Sequence, residues 1–144
     1  MRKPEDHRFP YSLGATLYLP IIHPKVPEIV SGQVPPPASS LVLCLEDALH
    51  ENDVEHGIEQ LKEILAAPVS QALRVFVRPR SYDMARRLAD LRGITGNGSH
   101  GIEGFVAPKM RPETLPDWLD LVAGARLSIM PTLETTDCFD PIRV

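Results

Sequence analysis

Cysteine is scarce in this chain: Cys44 and Cys138 are the only two in 144 residues. Cys44 lies inside an apolar run, where it reads as a small buried hydrophobe in a reducing compartment. No apolar stretch approaches the roughly 18–20 residues that span a bilayer. The N-terminal "MRKPEDHRFPY" carries charges, with no apolar run behind them of the signal-peptide kind. A cytoplasmic protein is expected. A concentrated Lys/Arg block is also missing, and the net charge is −4. Nucleic acid and anionic membrane surfaces are therefore not expected partners. The five histidines show no metal spacing; His50 and His56 are six apart and do not share a helix face.

What is present suits one domain. A hydrophobic content of 43% and a charged content of 24% are ordinary globular values, so disorder throughout is not expected. Proline is the exception at 15 residues, about twice the roughly 5% average usage. It clusters in "LPIIHPKVP" and "VPPPASS".

Five short segments read as buried strands: "ATLYLPI", "SLVLCLE", "LRVFVRP", "GFVAPK" and "LSIMPTLE". Each is near-continuously apolar rather than alternating, the pattern of parallel strands covered on both faces. Helices are predicted between them. In "DVEHGIEQLKEILAA", Val54, Ile58, Leu61 and Leu65 form one apolar stripe. Asp53 is its expected N-cap, and Pro68 ends it. "SYDMARRLADL" sets Met84, Leu88 and Leu91 on one face, with Ser81 as cap and Gly93 closing. "RPETLPDWLDLVAGA" offers Leu115, Trp118, Leu119 and Val122, with Pro116 acceptable in the first turn. "GITGNGSHGIEG" reads as a flexible loop.

Strands beginning near residues 16, 41, 74, 104 and 127, with helices between, predict right-handed βαβ units and a parallel sheet. Five such units suit an open doubly wound sheet or the first part of an eight-stranded barrel. A flavodoxin-like binding domain fits less well, because proline-rich "LPIIHPKVP" stands where a phosphate-binding glycine turn would follow the first strand.

In either architecture ligands lie outside the carboxyl ends of the strands. The first strand ends in "LPIIHP" with His23, the second in Glu46 and Asp47, the third in Arg78, the fourth in Lys109 and the fifth in Glu134. Four successive strands thus deliver acid, base, base and acid to one rim. Converging carboxylates make a hard-oxygen site suited to Mg²⁺, and an Arg offers a planar fork for a substrate carboxylate. Together they suit stabilisation of an enolate during carbon–carbon cleavage next to a carbonyl. The competing readings are structural: Glu46 and Asp47 as a solvated strand end with Asp47 capping the next helix, Arg78 as a salt bridge to Glu46, Lys109 as a rim charge.

The ordered set "LYLP", "LVLCLEDAL", "VFVRPR", "GFVAPKM" and "IMPTLET", over roughly residues 13 to 139, resembles the citrate lyase beta-subunit family within the HpcH/HpaI-type aldolases. It is most similar to the branch often found beside tellurium-resistance genes, a carbon–carbon bond lyase of the TIM-barrel fold. The resemblance implies a (β/α)₈ barrel and Mg²⁺-dependent lyase or aldolase chemistry on a 2-oxo or 3-hydroxy acid, free or as a CoA thioester. It makes Glu134 a Mg²⁺ ligand and Arg78 the holder of the oxo-acid carboxylate. Glu46 and Asp47 would act catalytically through hydrogen bonds or metal-bound water, and Lys109 would be a further substrate contact. Two departures accompany it. Arg80 stands where relatives usually carry Asn, and the second Mg²⁺ ligand, an Asp after the sixth strand, would fall beyond Val144. The expectation is therefore about the first five βα units of a barrel, a truncated or split product with weak Mg²⁺ binding and little turnover alone. Its unpaired strand edges favour homo-oligomers. The rival is a non-catalytic half-barrel that assembles with itself or a second chain.

Overall fold

A computed structural model describes residues 11–91, 94 and 101–139. Its five strands are β1 (Thr16–Pro20), β2 (Ser40–Cys44), β3 (Arg74–Arg78), β4 (Gly104–Ala107) and β5 (Ser128–Pro131). All pair in parallel, in the order β1-β2-β3-β4-β5. A doubly wound sheet would reverse direction partway through its strand order. Sequential order without reversal is how a (β/α)₈ barrel begins, and this settles the choice left open by strand spacing. Among the described residues the sheet is not closed.

Four helices connect the strands: α1 (Val26–Ser31), α2 (Val54–Leu65), α3 (Tyr82–Ala89) and α4 (Leu115–Ala125). Residues from all four join one core cluster with Leu41, Leu43, Leu45, Val75, Val77, Phe105 and Ala107. The helices therefore cover one sheet face. The alternate strand residues Val42, Phe76 and Val106 form a separate cluster with Leu13 and Met130, on the face that a barrel turns inward. Each strand is thus apolar toward two different partners, which explains why the runs are continuous rather than alternating. The edge strands are the exception: β2 and β4 are buried throughout, whereas β1 and β5 are half open.

Helix α2 packs unusually close to the sheet. A Cβ on Gly57 would come within 2.8 Å of both Ile21 and Leu45 side chains. Ser81 caps α3 as expected, its hydroxyl accepting from the Met84 amide at 3.2 Å.

Several expectations need correction. Asp53 makes no side-chain cap. Instead a 3₁₀ turn at Glu51–Asp53 leads into α2, and His50 Nδ1 accepts the Asn52 amide at 3.2 Å. In α4, Trp118 and Val122 are buried, but Leu115 and Leu119 face outward at 37% and 46% exposure. Only part of that apolar stripe meets the sheet. Helix α1 was missed because prolines dominate its surroundings. Pro27 sits in the first turn, where no amide is needed, and Gly32 ends the helix in the left-handed region at φ 82°. The expected closing residue Gly93 and most of the "GITGNGSHGIEG" loop lie outside the described residues.

Candidate active site

The parallel register sets the ends of adjacent strands side by side. Cys44 pairs with Arg78, and Ala107 with Pro131. Beyond Cys44, the Leu45 amide still bonds to the Arg78 carbonyl at 2.9 Å, so β2 stays extended for one more step. Side chains alternate along such a chain. Glu46 therefore follows Val42 and Cys44 onto the inner side, and is buried at 4% exposure. The chain then turns, closed by the Leu49 amide on the Glu46 carbonyl at 3.0 Å, and Asp47 is thrown out to 75% side-chain exposure.

Arg78 is the hub. Its Nε donates to Glu46 Oε2 at 2.5 Å, and Nη2 lies 2.5 Å from the same oxygen. Nη2 also reaches Glu134 Oε1 at 3.4 Å and stands 3.9 Å from Asp47 Oδ2. Burial pulls the guanidinium pKa down, but the hydrogen bond and charge of Glu46, with the charge of Glu134, outweigh it. The net shift is upward and Arg78 stays cationic.

Lys109 closes the ring. Its ammonium lies 3.2 Å from Glu46 Oε1, a charge contact without hydrogen-bond geometry, so this buried oxygen has no hydrogen-bond donor among the described residues. The Lys109 backbone is left-handed at φ 47°, which costs a non-glycine residue roughly 1–2 kcal/mol. That conformation aims its amide at Glu134 Oε1 and Thr132 Oγ1, both at 3.0 Å.

Glu46, Arg78, Lys109 and Glu134 are thus brought into direct contact, with Asp47 at the margin. Glu46 is not a solvated strand end, and Asp47 caps no helix; the Arg78–Glu46 ion pair is formed. His23 stands apart, its Nδ1 accepting the Lys25 amide at 3.2 Å. Arg80 turns away from the ring and donates to the Leu49 carbonyl at 2.5 Å, bracing the turn that carries Glu46 and Asp47. Thr132 is the residue that sequence reasoning missed. Its signal was available: two positions before Glu134 in an extended segment, it shares that residue's face.

No cluster of three or more His, Cys, Asp or Glu side chains suited to a metal ion occurs among the described residues. Mg²⁺ does not need one, since one or two carboxylates plus water and substrate oxygens suffice. Glu134 Oε2, which has no polar partner among the described residues, is compatible with such a cation, whereas Glu46 Oε1 faces the Lys109 ammonium at 3.2 Å.

A family model described as a C–C bond lyase of the TIM-barrel fold matches residues 7–143. No curated protein matches the chain.

Proposed function

Because the chain belongs to the C–C bond lyase family of the TIM-barrel fold, we propose that it makes or breaks a carbon–carbon bond beside a carbonyl. The substrate class is a 2-oxo or 3-hydroxy acid, free or as a CoA thioester, and Mg²⁺ is the cofactor. On this reading it would act in the manner of the citrate lyase beta-subunit and HpcH/HpaI-type enzymes that its strand-end motifs resemble. The supporting observation is the convergence of Glu46, Asp47 and Glu134 on Arg78 at the carboxyl ends of the strands.

Each residue has a role in this reading. Glu134 would hold Mg²⁺ through Oε2. When bound, the ion would act as a Lewis acid toward substrate oxygens. Arg78, kept cationic by its neighbours, would bind the substrate carboxylate and stabilise negative charge growing on the adjacent oxygen as the bond breaks. Glu46, in contact with both Nε and Nη2, fixes the guanidinium along that edge. Asp47, exposed beside it, would hold water or a substrate hydroxyl. The Lys109 ammonium would pair with the acid or thioester end of the substrate.

The test is product detection by mass spectrometry from a panel of 2-oxo acids, 3-hydroxy acids and their CoA esters, with Mg²⁺ or with chelator. Weak cleavage by this chain that needs Mg²⁺ and is lost in Arg78→Lys and Glu134→Gln is expected. Absence of both turnover and Mg²⁺ binding would overturn the reading.

A second reading has its own observation. Both edge strands are half open, which favours assembly with itself or another chain through those edges. A single well-defined dimer by light scattering, with no Mg²⁺-dependent chemistry, would favour a non-catalytic assembly module.

A further inference from the structure

We propose that Thr132 is a positioning residue: with the Lys109 main-chain amide, it clamps one oxygen of Glu134 and presents the other, Oε2, to a divalent cation. The identity of that cation rests on the Mg²⁺ reading above, whereas the clamp itself does not.

Among the described residues, all polar contacts of the Glu134 side chain fall on Oε1. The Lys109 amide donates to it at 3.0 Å, Arg78 Nη2 lies at 3.4 Å, and Thr132 Oγ1 lies at 3.3 Å. A side chain that is 43% exposed would otherwise sample several rotamers. Thr132 is itself held. Its hydroxyl reaches the Ala107 carbonyl at 2.7 Å and accepts the Lys109 amide at 3.0 Å. The hydroxyl has one proton. Given to Ala107, the shorter contact, it leaves Oγ1 sharing the Lys109 amide hydrogen with Oε1, so Thr132 acts on the carboxylate only through that amide; given to Glu134, it bonds the carboxylate directly. In both arrangements the Lys109 amide holds Oε1.

Lys109 supplies the second half of the device. A lysine in the left-handed region at φ 47° is sparsely populated backbone. It persists here because the Thr132 hydroxyl and the Glu134 carboxylate share its amide. Strain at β4's end is thus exchanged for order at β5's end, across the Ala107–Pro131 register pair. A carboxylate whose orientation is fixed in advance binds a cation without the entropy loss of ordering a free side chain.

The experiment compares wild type, Thr132→Val, Thr132→Ala and Thr132→Ser. The first readout needs no metal: NMR couplings across the Glu134 χ1 bond. Wild type and Thr132→Ser should show one rotamer, and Thr132→Val and Thr132→Ala should show averaged couplings. The second readout is Mg²⁺ affinity by calorimetry. It should fall about tenfold in the Val and Ala variants, the scale at which partners of a ligating carboxylate act. Thr132→Ser should restore it, with thermal midpoints matching wild type. Unchanged couplings in both folded variants would overturn the clamp. A wild type with no Mg²⁺ affinity but with the predicted couplings would sink the metal reading and leave the clamp standing.

Discussion

Glu46 and Arg78 set the residue-scale energetics of the rim. Their side chains are 5% and 13% exposed, and removing one partner of such a pair strands the other charge. Arg78→Ala should therefore destabilise the protein by about 3 kcal/mol in urea denaturation, and Glu46→Gln by less. The double variant should recover much of the loss, because the charges then left without partners, on Lys109 and Glu134, are exposed rather than buried; additive losses would show that the pair is not coupled. Glu55 and Arg87 form the opposite case, an exposed two-pronged pair from α2 to α3 with both contacts at 2.9 Å. The Arg87 hydrogen bond and charge hold the Glu55 carboxyl below its usual 4.5, against a smaller effect of burial. A folded-state value below the unfolded one stabilises above pH 4.5, and that contribution is lost as pH falls toward the folded value. The stability gap between wild type and Glu55→Gln should thus be present at pH 7, shrink below pH 4.5, and weaken in high salt. A gap that widens in acid would refute it. At this scale the charged strand ends were legible in the sequence, because every parallel strand ends on the same side. Which of two adjacent carboxylates is buried depended on how far β2 stays extended before turning.

At the scale of elements, caps and close approaches decide. Ser81→Ala should lower stability by about 1 kcal/mol, since the Met84 amide loses its acceptor; Ser81→Asp should preserve it. Gly104 is less forgiving. A Cβ there would overlap the Ser128 carbonyl oxygen of the paired strand. Gly104→Ala should therefore cost about 2–3 kcal/mol, at the upper end for overpacking, in thermal or urea unfolding. A neutral result would mean that β4 and β5 separate easily. Strands β2, β3 and β4 were legible because both of their faces are covered and their sequences say so. Helix α1 was not, because its six residues are too few for a periodic stripe. The apolar stripe of α4 was overread, since Leu115 and Leu119 repeat at helical spacing without meeting the sheet.

The whole molecule has one main core, running from Ile21 on the first connection to Trp118 and Val122 on α4. Trp118 is the only tryptophan, is 3% exposed, and stacks edge-to-face on Tyr82 with ring centres 5.5 Å apart. Its fluorescence therefore reports on α3 and α4, while far-UV circular dichroism reports on every helix. The two unfolding transitions should coincide; an earlier fluorescence transition would show α4 and β5 detaching first. The sequence by itself determined the strand–helix alternation, the parallel sheet, and the delivery of acid, base, base and acid to one end. These follow from local patterning and from the single polarity that parallel strands share. Only the tertiary structure decided that the strands run in unbroken order with all four helices on one face. It alone showed Arg78 gripped by Glu46, Arg80 turned to the Leu49 carbonyl, and Glu134 held by Thr132 and a strained Lys109. Apart from Thr132, two residues from Glu134, such contacts join residues 25 to 32 apart in the chain, and pairings at that range are fixed by register and packing, on which local sequence has no hold.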